Sequence, residues 1–223
     1  MDYFILFIIV ALASWGVSAL LNYRFKQYSK VYLPLTGKEV AEKMLRDNGI
    51  TDVKVISTPG RLTDHYDPTN KTVNLSEGVY LSNNVAAAAV AAHECGHAIQ
   101  HAYAYAPLQM RSALVPVVNF ASKWITWLLL GGILLLHTFP QLLLAGIIMY
   151  AITTVFAFVT LPVEINASQR AIAWLEQAGI TDRQTTPMAS SALRSAAYTY
   201  VVAALSSLGT LIYYIGIFNG RRD

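Results

Sequence analysis

Charged residues are scarce in this chain, and they are missing altogether from three long stretches. Only 13% of its 223 residues are Asp, Glu, Lys or Arg, about half the share found in an ordinary soluble domain. Residues 3–23, 124–163 and 195–220 contain none of them. Each stretch is at least as long as the roughly 20 residues that a helix needs to cross a bilayer. The sequence therefore predicts a membrane protein and argues against a soluble globular domain.

Cysteine and net charge are also low, and this excludes two further classes of protein. Cys95 is the only cysteine, so the chain cannot form an internal disulfide. The net charge of +3 is too small to suggest nucleic acid as a partner. The basic residues are more informative as signals of membrane topology.

The charge-free stretches predict four transmembrane helices, at about residues 3–22, 115–137, 141–162 and 196–218. The middle stretch is long enough for two of them, with a break at residues 137–140. We interpret the first helix as an uncleaved anchor, because no Lys or Arg precedes it and several follow it. A cleaved signal peptide is the alternative for this helix.

Lys and Arg flank the predicted spans unevenly. Three basic residues follow the first span within residues 24–30, and three more lie within residues 170–194. Because short basic segments stay on the cytoplasmic side, both polar regions are predicted to face the cytoplasm. The N-terminus and the turn at 138–140 would then face outward. Arg221 and Arg222 oppose this orientation, since they follow the last span on its outer side.

The polar segment 24–113 carries the start and stop signals of two helices. Thr36 and Glu39 have the spacing of a capping box, and Asn48-Gly49 is suited to ending the helix that follows. Asn84 is a suitable N-cap for a second helix that is rich in alanine. We expect this second helix to be buried in the protein rather than to form a fifth span.

The same segment also contains strand signals. Residues 53–56 alternate between polar and apolar side chains like a short strand. Residues 63–67 and 71–76 form a predicted hairpin around a turn that contains proline. The segment is therefore predicted to fold as a small α+β domain.

Residues 163–195 are predicted to leave the third span as a helix that ends at Gly179. Thr186-Pro187 would supply the N-cap and first position of the helix leading to the fourth span. The predicted order is an N-terminal span (1–23), the α+β domain (24–113), a transmembrane hairpin (114–162), a cytoplasmic helical segment (163–195) and a C-terminal span (196–223).

The alanine-rich helix carries the sequence His93-Glu94-Cys95-Gly96-His97. Positions i and i+4 of a helix lie on one face, so His93 and His97 can bind one Zn²⁺ between them. Glu94 is then placed to act as the general base toward water at the metal. The alternative is a chance match in a core helix, but buried polar groups are costly there unless something satisfies them.

A catalytic zinc usually has three protein ligands, so a third must come from elsewhere. His101 is excluded, because it lies about 12 Å along the helix axis from His93. Glu164 is the only carboxylate between Glu94 and Glu176, and it lies where the third span meets the cytoplasm. Its position alone is compatible with a metal ligand and equally with a residue that simply marks the end of a span.

Two residues of the predicted hairpin are candidates for stabilising the transition state. His65 and Tyr66 each carry a hydrogen-bond donor that could face a developing oxyanion. The alternative is an ordinary polar hairpin without a catalytic role.

The chain resembles the YugP-like neutral zinc metallopeptidases, a family of bacterial membrane proteins. The stretches that carry this resemblance are Leu62–Pro68, Ala91–Gln100, Tyr105–Asn119 and Thr160–Ser168. The resemblance implies a gluzincin-type site in which His93, His97 and Glu164 bind one zinc ion and Glu94 is catalytic.

The chain departs from related membrane gluzincins close to the third ligand. In the CAAX-prenyl protease type, an Asp follows the ligand Glu by four residues, where this chain has Ser168. Family members often carry Phe-Asp or Phe-Asn after the Glu, where this chain has Ile165-Asn166. Cys95 replaces a common aliphatic residue and is expected to be a small buried side chain. The sequence leaves the roles of Asn166 and Ser168 open.

We therefore expect a mainly α membrane protein with four transmembrane helices and a small α+β, zincin-like cytoplasmic domain. It would reside in the bacterial inner membrane and hydrolyse peptide bonds at its cytoplasmic face. The expected partners are a peptide or membrane-protein substrate and the lipid bilayer; the sequence does not indicate an oligomeric state. The alternatives are a non-proteolytic membrane scaffold and a metal-binding or transport protein with a zincin-derived site.

Overall fold

The computed structural model describes residues 3–220 and is mainly helical, with one small sheet. The helices among these residues are α1 (Tyr3–Tyr28), α2 (Gly37–Asp47), α3 (Glu77–Tyr80), α4 (Val85–Ala102), α5 (Ala106–Leu134), α6 (Gln141–Gln177) and α7 (Thr185–Gly220). The strands are β1 (Lys54–Thr58), β2 (His65–Asp67) and β3 (Thr72–Ser76). Arg221 and Arg222, which oppose the predicted topology, lie outside the described residues.

Four of these helices, α1, α5, α6 and α7, are long and apolar enough to cross a membrane. Four spans were predicted, and the described residues contain four candidate helices. Each helix extends beyond its predicted span at one end or both, because α-helical hydrogen bonding continues into polar sequence when nothing interrupts it. The predicted end of the second span at 137 is wrong, since α5 ends at Leu134. Pro116 lies inside α5 and Pro162 lies inside α6, and neither ends its helix.

The chain divides into two compact units. One consists of Gln109–Leu161 together with the chain up to Gly16 and from Thr199 onward. The other consists of Val17–Leu108 and Pro162–Tyr198. This second unit contains the whole sheet, α2, α3, α4 and the C-terminal part of α6, and so it holds all the predicted site residues.

The first unit is held together by close helix packing and by a buried hydroxyl pair. A Cβ atom on Gly132 of α5 would collide with the backbone of Leu143 on α6, so glycine allows the two helices to approach. The Thr154 and Ser207 hydroxyl oxygens lie 2.7 Å apart and join α6 to α7. Small residues and hydroxyl pairs are typical of contacts between membrane helices.

The sheet of the second unit has the strand order β1-β3-β2. The β2 and β3 strands pair antiparallel, with Tyr66 opposite Val73, and this confirms the predicted hairpin. The predicted strand at 53–56 is also confirmed as β1, which pairs with β3 in parallel. Val73 and Leu75 on the central strand are fully buried, and they join the sheet to the core of this unit.

The local signals for α2 and α4 are confirmed. Thr36 and Glu39 form the reciprocal capping box, and α2 ends just before Gly49, which has a φ of +70°. The Asn84 side chain accepts a hydrogen bond from Ala87 N at the start of α4. Most α4 side chains are buried, and α4 is not among the candidate spans of the described chain.

The predicted start of the fourth long helix is wrong by two residues, since Pro187 was predicted as its first position. Helix α7 begins at Thr185, so Thr186 is not its N-cap. Asp182 provides the cap instead, since its Oδ1 accepts hydrogen bonds from the backbone N–H groups of Gln184 and Thr185. The predicted glycine stop after α6 is confirmed at Gly179, where φ is +66°.

Candidate metal centre

The second unit brings His93, His97 and Glu164 together. The two histidines lie one turn apart on α4, and Glu164 lies on α6. Glu164 Oε2 is 3.2 Å from His93 Nε2 and 3.6 Å from His97 Nε2. One candidate ligand atom from each residue lies within 4.8 Å of the others. The helical spacing explains the histidine pair, and the contact of α4 with α6 supplies the carboxylate.

These residues fit a zinc ion by the chemistry of their donor atoms. Two imidazole nitrogens and one carboxylate oxygen form a donor set that zinc prefers at catalytic sites. Glu164 is only 3% exposed, and its charge needs a cation or several hydrogen-bond donors at such a depth.

Glu94 is largely buried beside this group, with 9% of its surface exposed. Its carboxylate makes no hydrogen bond with any residue between 3 and 220. A buried carboxylate without a protein partner is unusual, because such groups normally satisfy their oxygens. This carboxylate therefore has its proton-accepting oxygens available for a molecule bound at the site.

The Nδ1 atom of His97 faces a buried polar partner. It lies 3.0 Å from Gln100 Oε1, and the Gln100 side chain is fully buried. Burial by itself would lower the pKa of the His97 imidazole, but the hydrogen bond to Glu164 and the negative charge of Glu94 raise it above its usual value. Contacts on Nδ1 leave Nε2 as the nitrogen that faces Glu164.

The Nδ1 atom of His93 faces Ser168, whose hydroxyl lies 3.1 Å away. Ser168 stands one turn after Glu164 on α6, so the same helix face supplies the carboxylate and the partner of His93. Partners of this kind orient metal ligands. The structure thus gives Ser168 a contact at the site, a role that the sequence left open.

The Gly96 position in the motif is required by packing. A Cβ atom at this residue would lie 2.6 Å from Ala167 O on α6, so only glycine allows α4 to approach α6 here. Cys95 lies on another side of α4, fully buried, with its sulfur 3.5 Å from Ala41 O on α2. Burial raises the pKa of the Cys95 thiol well above its usual value, consistent with the predicted small core side chain.

The candidates His65 and Tyr66 lie on β2, and neither contacts the metal group among the described residues. His65 Nδ1 lies 2.7 Å from Thr63 O, beside its own strand. The Tyr66 hydroxyl lies 2.9 Å from Nδ1 of His101, near the C-terminal end of α4. Their role in stabilising a transition state stays a prediction.

Gln100 is the site residue that sequence reasoning missed. It follows His97 by three residues, a spacing that places two side chains on the same helix face. That spacing was visible in the sequence. Its other contacts depend on how α4 meets α6, which no local pattern shows.

Comparison with known proteins defines the class to which this site belongs. The family described as "Putative neutral zinc metallopeptidase" matches residues 3–219, so the chain belongs to this family of zinc metallopeptidases. It is also 42% identical to the "Putative membrane protease YugP" of Bacillus subtilis (strain 168), over 98% of this chain and 99% of that protein. This agrees with the resemblance predicted from the motifs. No solved structure matches the chain.

Proposed function

We propose that the protein is a membrane-embedded zinc metalloendopeptidase of the gluzincin type, with one zinc ion held by His93, His97 and Glu164. The observation that carries this proposal is the convergence of these three donors beside a buried carboxylate, Glu94, that has no hydrogen-bond partner among residues 3–220. A purely structural metal site needs the ligands but has no use for such a neighbouring base. This favours an enzyme over a scaffold or a transport protein.

Glu94 and the three candidate ligands have different roles in the proposed peptide hydrolysis. When bound, zinc supplies Lewis acidity that activates water and polarises the carbonyl group under attack. The Glu94 carboxylate accepts a proton from the attacking water and returns it to the nitrogen of the leaving amine. His93, His97 and Glu164 keep the reacting groups in place, and their burial limits the access of bulk water.

The substrate would be a peptide segment close to the membrane. Glu164 follows the apolar half of α6 in the same continuous helix, which supports a site near the bilayer surface. The β2 strand is at an edge of the sheet and could pair with an extended peptide backbone. We propose segments of membrane proteins as substrates and the cytoplasmic face of the bacterial inner membrane as the place of cleavage.

The test compares two substitutions of the site with a matched control. Glu94→Gln should retain about one zinc per chain but reduce proteolysis by about 10²–10⁴-fold, because it removes only the proton acceptor. Glu164→Ala should lose the zinc as well. Glu176→Gln, an exposed position on the same α6 helix, should change neither.

The measurements are metal analysis of the purified protein and cleavage of an unfolded protein such as casein. Comparative proteomics of membranes that contain wild type or Glu94→Gln would then identify natural substrates. Unchanged cleavage by Glu94→Gln would refute the proposed mechanism, whereas absence of zinc from the wild type would refute the proposed metal site.

A further inference from the structure

Gln100 connects His97 to α6 through a set of buried hydrogen bonds. Its Oε1 faces His97 Nδ1 at 3.0 Å. Its Nε2 donates to the backbone oxygen of Val163 at 2.8 Å and to Asn166 Oδ1 at 3.0 Å. Arg170 Nε donates to the same Asn166 oxygen at 2.8 Å. The chain of contacts thus runs from Arg170 through Asn166 and Gln100 to the metal ligand.

Two groups fix the directions of the hydrogen bonds in this chain, the Arg170 guanidinium and the backbone oxygen of Val163. A guanidinium group can only donate, so the oxygen of the Asn166 amide must face Arg170. That oxygen also requires a donor from Gln100, which can only be its NH₂ group. The carbonyl of Val163 demands a donor as well, and it holds Gln100 in the same orientation. The Gln100 oxygen is therefore left to accept a hydrogen bond from His97.

An accepting oxygen at Nδ1 selects one tautomer of His97. Nδ1 must carry the hydrogen, so the lone pair of the neutral ring lies on Nε2, the atom that faces Glu164. The partner of His93 imposes no such choice, because the Ser168 hydroxyl can both donate and accept. The direction of the hydrogen bond at Nδ1 is thus fixed for His97 but not for His93.

We propose that Arg170 is a positioning residue of the metal centre, which together with the Val163 carbonyl sets the metal-binding tautomer of His97 through Asn166 and Gln100. The inference rests on the proposed zinc site. It assigns a role in metal binding to a basic residue that has no contact with the metal ligands. A cation would otherwise be an unfavourable neighbour for a site that binds Zn²⁺.

The direction in which zinc affinity changes when Arg170 is removed distinguishes this role from a purely electrostatic effect of its charge. Loss of a positive charge close to a zinc site should by itself strengthen zinc binding. Loss of the orienting donor should weaken it, by about tenfold, as is typical when partners of metal ligands are removed. Arg170→Met is therefore expected to weaken zinc binding. The control Arg183→Met removes a charge from an exposed position after α6 and should leave zinc affinity unchanged.

A second variant tests directly whether the direction of these hydrogen bonds matters for zinc binding. Asn166→Asp replaces the amide by a carboxylate, which presents an accepting oxygen to Gln100 in either orientation. In this background Arg170→Met should no longer weaken zinc binding. The double variant also serves as a control for folding, since it lacks the same arginine.

The experiment measures zinc affinity of the full-length protein in detergent by competition with a chromogenic chelator. Nitrogen-15 NMR of the zinc-loaded protein reports the tautomer, and the Nδ1–H form of His97 is expected in the wild type. Wild-type affinity in Arg170→Met, or an equal loss in both backgrounds, would overturn the inference while leaving the zinc site intact. A wild-type protein that folds but binds no zinc would overturn the proposed function itself.

Discussion

Both histidines of the candidate site have neutral partners at their outer nitrogens. His97 faces the amide of Gln100, and His93 faces the hydroxyl of Ser168. Carboxylates often occupy such positions and increase the basicity of the imidazole. Neutral partners add no negative charge to the site, so Glu164 is the only anionic member of the three candidate ligands. The orientation of the rings depends on hydrogen-bond geometry more than on charge.

Gly96 sets the distance between the two helices that carry the ligands. We expect Gly96→Ala to destabilise the protein by about 1–3 kcal/mol and to weaken zinc binding, because the new methyl group would meet the Ala167 carbonyl at 2.6 Å. Thermal unfolding and zinc titration check this. Gly78→Ala is the matched control, since a Cβ atom there meets nothing within 4 Å. A Gly96→Ala protein with wild-type zinc affinity would show that the contact is unimportant to the site.

The candidate ligands were predictable from the sequence, but their partners were not. His93 and His97 are joined by helical periodicity, which is a local property. The position of Glu164 in the sequence was compatible with a metal ligand and with a residue that marks the end of a span. Only the family resemblance indicated a ligand. The contacts of Ser168 and Asn166 depend on the rotation of α6 relative to α4, which is decided by packing at Gly96 and not by any local pattern.

At the scale of elements, Asp47 joins the end of α2 to α6. Lys43 donates to Asp47 Oδ2 at 2.9 Å, and the indole N–H of Trp174 donates to the same oxygen at 3.1 Å. The hydrogen bond from Lys43 lowers the pKa of the Asp47 carboxyl, and partial burial opposes this only in part. The ionised carboxylate is thus the form that the folded protein prefers.

This preference predicts a pH dependence of stability. The stabilisation from Asp47 should be complete above the pKa of the unfolded carboxyl, about 4, and should be lost as pH falls toward the lower pKa of the folded state. Asp47→Asn should therefore reduce the loss of stability on acidification below pH of about 4. Thermal unfolding of wild type and variant over this range measures it. Identical pH profiles would contradict the prediction, and Asp52→Asn provides a comparison at an exposed ion pair.

The sequence predicts the ends of a helix correctly where the signals lie close to that end. The capping box at Thr36 and the glycine at Gly179 depend on residues within one turn of the helix end. The start of α7 was misplaced because Asp182 accepts hydrogen bonds from the N–H groups of Gln184 and Thr185, so the helix begins two residues earlier than predicted. The parallel pairing of β1 with β3 joins residues that no turn connects, so periodicity could not show it.

At the scale of the whole molecule, the orientation of the spans is still a prediction from the basic residues. Lys38→Cys adds one thiol in the polar segment, and Phe139→Cys adds one in the turn after α5. A membrane-impermeant maleimide applied to intact cells should label Phe139→Cys, and it should label Lys38→Cys only after the membrane is opened. The native Cys95 is fully buried, so the wild type serves as an unlabelled control. The reverse pattern would place the candidate metal centre outside the cytoplasm.

The order of the ligands along the chain limits which forms of this protein can exist. His93 and His97 precede the stretch Gln109–Leu161, and Glu164 follows it. That stretch contains most of α5 and the apolar half of α6, both of them candidate spans. Any uninterrupted fragment with all three ligands must therefore retain this apolar pair of helices. Neither truncation nor trimming at the ends can therefore give a fragment that keeps all three candidate ligands and lacks these two apolar helices.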